Sequence, residues 1–137
     1  MSPALAAPPK RPWRRRLGAR SRRQGRWAEV VAAAWLMARG WQVLGFRLKA
    51  GPGEIDLLVR RGRVLAVVEV KRRATLEAAL ESLGPQQRRR LLAAGRAIAA
   101  RRPALRELDL RLDLFAFAPG CLPRHFPGLI VDGPMGL

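Results

Sequence analysis

The stretch that decides the fold is Gly53-Glu54-Ile55-Asp56-Leu57-Leu58-Val59, followed after a short link by Val64-Leu65-Ala66-Val67-Val68-Glu69-Val70-Lys71. Each half is rich in Val, Ile and Leu and is bounded by glycine, which is typical of a β-strand. The link Arg60-Arg61-Gly62-Arg63 is short enough for a tight hairpin. A purely structural buried strand carries no charge, yet this pair of strands contains four charged residues. They are Glu54, Asp56, Glu69 and Lys71.

The pairing register predicts where these charges point. We expect Arg61-Gly62 to form a two-residue loop, so that Asp56 faces Val67. In the same register Glu54 faces Glu69, and Asp56 is diagonal to Glu69 at roughly 7–8 Å between their backbones. Because side chains alternate along a strand with period two, all four charges share one side of the sheet. The other side is an unbroken apolar set: Ile55, Leu57, Val59, Val64, Ala66, Val68 and Val70.

Clustered carboxylates predict a cation site. Two carboxylates about 6 Å apart repel by about 3 kcal/mol at an effective dielectric constant of about 20. A hard divalent ion such as magnesium relieves this repulsion and prefers oxygen ligands. We therefore predict that Asp56 and Glu69 bind a divalent metal. Lys71 lies on the same side of the sheet, where its ammonium group can hold a phosphate oxygen or orient a metal-bound water.

The same residues carry a family resemblance. Asp56 followed by Glu69-Val70-Lys71 resembles the D…ExK signature of nucleases with the restriction-endonuclease-like fold. Gly53-Glu54-Ile55-Asp56-Leu57 with Val68-Glu69-Val70-Lys71-Arg72-Arg73 is similar to the YraN-type family of small bacterial proteins. That family is grouped with Holliday-junction-resolvase-like and RecB-like nuclease domains, and the resemblance covers roughly Gly25 to Phe126.

This resemblance implies a metal-dependent endonuclease that hydrolyses phosphodiester bonds in DNA of branched or single-stranded structure. Asp56, Glu69 and the main-chain carbonyl of Val70 would hold magnesium or manganese, and Lys71 would act on water or phosphate. Two further acids would support the site: Glu29 and Glu54. Junction-cutting enzymes are often dimers, so the resemblance leaves a homodimer as one of the possible assemblies. The alternative is a non-catalytic nucleic-acid-binding protein that keeps the nuclease fold.

The charge balance is strongly basic. The 137 residues include 27 basic and 10 acidic residues, for a net charge of +17. This excess favours a polyanionic partner, with nucleic acid first and an anionic membrane second. The alternative explanation is that GC-rich coding sequence favours arginine over lysine. We expect five arginines to bind the DNA backbone: Arg72, Arg73, Arg88, Arg89 and Arg90. Members of the YraN-type family usually have a lysine near the last three, where this chain has Gln87.

Composition also divides the chain. Residues 1–20, rich in proline and arginine, are predicted to be a disordered basic N-terminal tail, either solvated or a phosphate-binding arm in which Trp13 stacks on a base. Residues 21–137 are predicted to form a single endonuclease-like α/β domain. The lone Cys121 excludes an intramolecular disulfide and indicates the cytoplasm. The apolar run Val30–Ala38 is too short to span a bilayer, so we expect no membrane insertion. A third alternative is a basic protein that docks on ribosomes or membranes through its tail.

The first helix is predicted from Arg22 to about Arg39, with an apolar stripe along one side. The stripe comprises Trp27, Val31, Ala34 and Ala38. Glu29 points away from this stripe in that arrangement. It then either pairs with a nearby arginine of its own helix or, as the family resemblance implies, reaches the metal site.

The remaining elements complete an α/β pattern. A strand is predicted over Trp41–Leu48, a weak helix over Thr75–Leu83, and a longer helix from Pro85 to about Arg101. Leu108–Ala118 alternates as a half-buried strand. Asp113 resembles the Asp of the later strand motif of the YraN-type family, but we expect it to be an edge-strand charge. Together they predict a three-layer α/β domain with a mixed central sheet flanked by helices, and the resemblance implies a restriction-endonuclease-like core.

Overall fold

The computed structural model describes residues 26–51 and 53–132. The first helix, α1, occupies residues 26–37 of this part. The other elements are, in order, β1 (Gln42–Ala50), β2 (Gly53–Arg61), β3 (Val64–Arg72), α2 (Leu76–Glu81), α3 (Pro85–Arg101), a 3-10 turn (Pro103–Leu105), β4 (Asp109–Phe117) and β5 (Arg124–Asp132).

The five strands form one mixed sheet in the order β1-β2-β3-β4-β5. All neighbouring pairs are antiparallel except β3 and β4, which are parallel. The connection between β3 and β4 contains α2 and α3, as a parallel crossover requires. Helix α1 packs on one side of the sheet and α3 on the other. The predicted three-layer α/β fold with a mixed central sheet is therefore confirmed.

The central hairpin has the predicted sides but a different register. The pairs run from Arg61↔Val64 to Leu57↔Val68, so the two-residue loop is Gly62-Arg63 rather than Arg61-Gly62. Gly62 has a φ of 61°, which suits the first central position of a type II′ turn. This moves the pairing by two positions in total, so the paired residues from Leu57 to Val68 keep their predicted sides of the sheet. The prediction that Asp56 faces Val67 was wrong.

Two cores result from this alternation. On the α1 side, buried residues of β2 and β3 pack with the helix: Leu57, Val59, Ala66 and Val68. On the α3 side, Leu58, Leu65 and Val67 pack against the helix. Ile55 belongs to the α3-side core, although strict alternation places it with the α1 set. Ile55 lies between Glu54 and Asp56, so the regular alternation that would put all four charged residues of β2 and β3 on one side is interrupted in this part of β2.

Helix α1 buries a different face from the one predicted. Its buried residues are Ala28, Glu29, Ala32, Ala33 and Leu36, whereas Trp27 and Ala34 are exposed. The small alanines let the helix approach the sheet closely, and the bulky tryptophan stays outside. The sequence prediction followed side-chain size and therefore chose the wrong stripe. The helix ends at Met37 before a turn in which Gly40 has a φ of 91°.

Strand β4 is central and buried on both sides, not half-buried as predicted. Asp113 is fully buried, so its assignment as an edge-strand charge was wrong. Its carboxylate accepts hydrogen bonds from Arg111 Nε at 2.9 Å and from the Gly128 N–H at 2.9 Å, and it lies 2.7 Å from His125 Nε2. Burial alone would raise the pKa of Asp113, but these hydrogen bonds outweigh it and lower the pKa. Asp113 thus fastens β5 to β4.

Helix α3 matches its prediction from Pro85 to Arg101, and its buried residues are Leu91, Leu92, Ala94, Gly95 and Ile98. Helix α2 is also confirmed, with Thr75 Oγ1 accepting the Ala78 N–H as its N-terminal cap. The predicted tail, residues 1–20, and the predicted start of α1 at Arg22 lie outside the described residues. No helix in the described part of the chain is long and apolar enough to cross a membrane.

Gly95 provides a test of the helix–sheet packing. A Cβ at this position would lie 2.5 Å from Val67 Cγ2 and 3.3 Å from Leu110 Cδ1. We predict that Gly95→Ala lowers the free energy of unfolding by about 1–3 kcal/mol, because overpacking outweighs the better helix propensity of alanine. Urea denaturation measures this change. In a Val67→Ala background the clash is absent, and the same substitution should be neutral or stabilising.

The control for this experiment is Gly51→Ala, where an added Cβ meets no described atom within 4 Å. Its free energy of unfolding should stay within about 0.5 kcal/mol of the parent protein. Equal effects of Gly95→Ala with and without Val67 would contradict the close helix–sheet contact.

Candidate metal centre

The candidate site lies where the β2–β3 ladder ends. The last regular pair is Leu57↔Val68, and the same register continued by one position brings Asp56 directly opposite Glu69. Beyond the ladder, the Val70 N–H donates to Asp56 Oδ2 at 2.9 Å. A side-chain carboxylate therefore replaces the backbone acceptor that a continued ladder would supply. The predicted diagonal arrangement is corrected to a direct one, which brings the two acids closer.

Glu69 is the most enclosed acid of this group. It is 7% exposed, and its Oε2 lies 3.1 Å from Lys71 Nζ. From the other side, Gln87 Nε2 of the first turn of α3 donates to the same oxygen at 3.5 Å. Lys71 is itself only partly exposed. The structure thus brings together Asp56, Glu69 and Lys71, as the hairpin pattern predicted.

The environment of Glu69 favours its neutral form. Burial, together with repulsion from Asp56 and a hydrogen bond with Asp56, raises the pKa of Glu69 to about 8. The neighbouring Lys71 ammonium lowers the pKa, but its effect is smaller than that of burial and of Asp56. Without a bound cation, the site therefore keeps a proton on Glu69 at neutral pH. A metal ion would take the place of that proton.

Glu29 reaches this region from α1. It is 5% exposed, and its Oε1 accepts a hydrogen bond from Arg47 Nε at 3.1 Å. Burial raises the pKa of Glu29, and repulsion from Asp56 adds to this increase, whereas Arg47 opposes it. Among the residues that the structure describes, the ion-pair partner of Glu29 is Arg47 of β1. The charges of Glu29 and Asp56 are therefore close enough to repel each other.

Arg47 was not identified from the sequence. The pairs Phe46↔Leu57 and Leu48↔Ile55 leave Arg47 across from Asp56, at an irregular position of β1. Its φ of 51° is in the left-handed region, which costs a non-glycine residue roughly 1–2 kcal/mol. Backbone strain of this kind often accompanies functional sites. A charge between Phe46 and Leu48 was the only available sequence signal.

The remaining predicted site residues differ in how exposed they are. Glu54 is exposed and pairs in register with Lys49. Arg72, Arg73, Arg89 and Arg90 are exposed, so their guanidinium groups face solvent. Arg88 is half-buried, and its Nε donates to the Leu83 carbonyl at 2.7 Å. That contact holds Arg88 against the loop before α3.

The donor set fits a hard cation held by few protein ligands. Within residues 26–51 and 53–132, no group of three or more acid, histidine or cysteine side chains is arranged to hold a metal ion. Asp56 and Glu69 supply two carboxylates. In an extended strand, the N–H and C=O of one residue point to the same side, so we expect the Val70 carbonyl to point toward Asp56. Two carboxylates and one carbonyl suit magnesium, which retains several waters.

Comparisons with known proteins identify relatives over most of the chain. A family model described as "Uncharacterised protein family UPF0102" matches residues 28–117. A UPF0102 protein of Caulobacter vibrioides is 58% identical over 110 residues, covering 80% of this chain and 88% of the relative. One from Maricaulis maris is 48% identical over 118 residues, covering 83% and 93% of the two chains. These matches confirm the YraN-type resemblance, and the nuclease-like superfamily is consistent with this family.

The raised pKa of Glu69 predicts a pH-dependent stability. The folded pKa of about 8 exceeds the ordinary value of 4.5, so the stabilising contribution is fully present below about pH 4.5 and is lost as the pH rises through 8. Urea denaturation without divalent metal should therefore show the free energy of unfolding falling between about pH 5 and about pH 9. Glu69→Gln should remove this part of the decline, at most about 1.4 kcal/mol per unit of pKa.

Two further variants sharpen the test. Gln87→Lys places an ammonium group beside Glu69, which should lower the pKa of Glu69 and flatten the decline. Glu77→Gln, at an exposed position in α2, should leave the decline as in the parent protein. Parallel pH profiles for the parent protein and Glu69→Gln would show that Glu69 is not protonated in the folded state at neutral pH.

Proposed function

The chain belongs to the uncharacterised protein family UPF0102, and from the geometry of its carboxylate pair we propose that it is a divalent-metal-dependent endonuclease acting on DNA. The observation that supports this proposal is the meeting of Asp56, Glu69 and Lys71 at the end of one hairpin. Metal-dependent phosphodiester hydrolysis requires acids that hold the cation, and an ammonium group beside them can bind phosphate or orient water.

Each residue has a role that follows from its contacts. Asp56 is held by the Val70 N–H, so one carboxylate oxygen is fixed and the other is oriented for a ligand. Glu69 would hold the cation as a carboxylate, because a bound cation would offset the burial and the repulsion from Asp56 that favour its neutral form. Lys71 Nζ, 3.1 Å from Glu69, is placed to bind a phosphate oxygen or to orient an attacking water.

Asp56, Glu69 and the Val70 carbonyl would hold the cation. When bound, a magnesium or manganese ion would supply charge for a phosphate oxygen and would lower the pKa of a bound water. The Glu29 carboxylate is paired with the Arg47 guanidinium group. This pairing suits a supporting acid better than a direct metal ligand. Glu54 is exposed and would act, if at all, through solvent.

The proposed substrate is DNA because of the charge of the protein. With a net charge of +17, the chain attracts polyanions strongly, and phosphate contacts provide most non-specific DNA affinity. Exposed arginines follow Lys71 at the end of β3 and follow Gln87 in α3, and these two residues are the ones that contact Glu69. The single cysteine fits a reducing compartment, so we propose the cytoplasm as the place of action.

A second function has its own support. Gln87 contacts Glu69 where YraN-type sequences usually have a lysine, and a neutral amide leaves the proton on Glu69 at neutral pH. A protein that binds cations weakly could bind DNA without cutting it. The enzyme is the better-supported proposal, because a protein that only binds DNA has no need to bury an acid beside another acid.

The proposal predicts metal-dependent cleavage. Supercoiled plasmid, a four-way junction and a flap substrate, each incubated with the protein, should be cut with magnesium or manganese and left intact with a chelator. Asp56→Asn and Lys71→Met should each lower the cleavage rate by about 100-fold or more. Gel electrophoresis of end-labelled substrates measures the rates.

Asp109→Asn is the matched control, since Asp109 begins β4 at the hairpin end of the sheet, away from the acids. It should cut like the parent protein. Salt-sensitive binding without any cutting, unaffected by Asp56→Asn, would replace the enzyme by the non-catalytic binding protein. Cutting that survives both active-site variants would indicate a contaminating nuclease and would overturn the proposed site.

A further inference from the structure

A cavity of about 520 Å³ lies beside the ends of β3 and β4. It is bounded by Trp27 at the start of α1, by Arg72 at the end of β3 with the following Arg73 and Ala74, and by residues 117–119. This volume is in the range of pockets that hold small organic ligands. Of these residues, only Arg72 and Arg73 have a proposed role in DNA hydrolysis, which is to bind the DNA backbone.

The cavity combines an aromatic ring with guanidinium groups. The Trp27 side chain is 64% exposed. In contrast, the ring of Trp35 is covered by Arg39 at 3.4 Å, and Trp41 is 4% exposed. Proteins that bind single-stranded nucleic acids combine aromatic rings, on which bases stack, with positive charges that hold the phosphates. An exposed indole beside arginines is such a combination.

The arginines are held in place at the rim. The Arg73 N–H donates to the Phe117 carbonyl at 3.1 Å, and Arg73 Nη1 donates to the Arg72 carbonyl at 2.8 Å. Both side chains are exposed. Their position is therefore fixed by the pairing of β3 with β4, while their charges remain available to an anion.

The cavity lies at the same end of β3 as the acids. Arg72 follows Glu69 by three residues of the same strand, a distance of about 10 Å between their backbones. Because this spacing is odd, the two side chains leave opposite faces of the sheet, so the cavity is a site separate from the acids.

We propose that this cavity binds one unpaired nucleotide of single-stranded DNA, with its base stacked on Trp27 and its phosphates near Arg72 and Arg73. A base within a duplex cannot do this, because both of its faces are covered by neighbouring base pairs. The inference rests on the proposed function in that the polyanion bound is DNA. It adds that the protein prefers DNA that contains an unpaired stretch.

The test measures binding in the presence of a chelator, so that cleavage plays no part. Fluorescence anisotropy of labelled dT12 with the full chain should show tighter binding than of a 12-base-pair duplex at equal salt. Trp27→Ala should weaken dT12 binding by about tenfold or more and leave duplex binding unchanged. Trp27→Phe, which keeps an aromatic ring, should recover most of the affinity, and Trp27→Leu should not.

Salt dependence separates stacking from charge. Trp27→Ala should leave the slope of log K against log salt unchanged, because no phosphate contact is lost. Arg72→Gln and Arg73→Gln should each reduce that slope by about 0.7. Arg102→Gln, at the exposed far end of α3 and about 20 Å from the first turn of that helix, is the charge-matched control and should alter the slope less.

The outcomes separate this inference from the nuclease proposal. If no substrate is cut but Trp27→Ala selectively weakens dT12 binding, the cavity assignment stands and the enzyme proposal falls. If Trp27→Ala binds dT12 as tightly as the parent protein, the cavity assignment is overturned, whether or not the protein cuts DNA. Circular dichroism confirms folding, which the exposed position of Trp27 should not disturb.

Discussion

The Asp56 carboxylate accepts the Val70 N–H at 2.9 Å where a regular ladder would supply a backbone carbonyl. This contact ends the pairing of β2 with β3 and holds Asp56 beside Glu69. Two acids in this position are costly unless a proton or a cation lies between them, and burial of Glu69 increases the cost. The rest of the fold supports this arrangement. Helix α3 covers one side of the hairpin, α1 covers the other, and β4 fixes the strand that carries Glu69.

The sequence predicted those elements whose signals are local. The ends of helix α3 could be predicted closely, because Pro85 marks its start, Pro103 follows its end and its apolar spacing is regular. The alternation of the hairpin between Leu57 and Val68 was also predictable, since a shift of two positions preserves it. The register itself was not, because Gly62 can occupy either position of a two-residue loop and only its φ decides between them.

Features that depend on distant partners were missed. Asp113 reads as a surface charge in an alternating strand, but Arg111, His125 and the Gly128 N–H together satisfy it in the interior. The buried face of α1 follows from how closely alanines approach the sheet, which side-chain hydrophobicity does not indicate. Arg47 has a left-handed backbone conformation within β1, and its side chain donates to Glu29. No local sequence pattern predicts such a strained residue. The cavity beside Trp27 likewise exists only because α1 and the ends of β3 and β4 meet.

The most direct test of the central claim is calorimetric titration of the protein with manganese at pH 7 in two buffers of different ionisation enthalpy. A Glu69 pKa of about 8 predicts that each bound ion displaces about 0.9 proton, which appears as a buffer-dependent heat. Glu69→Gln should abolish both the binding and the proton release. Binding of equal strength in Glu69→Gln, or no binding heat in the parent protein, would contradict a metal centre at Asp56 and Glu69.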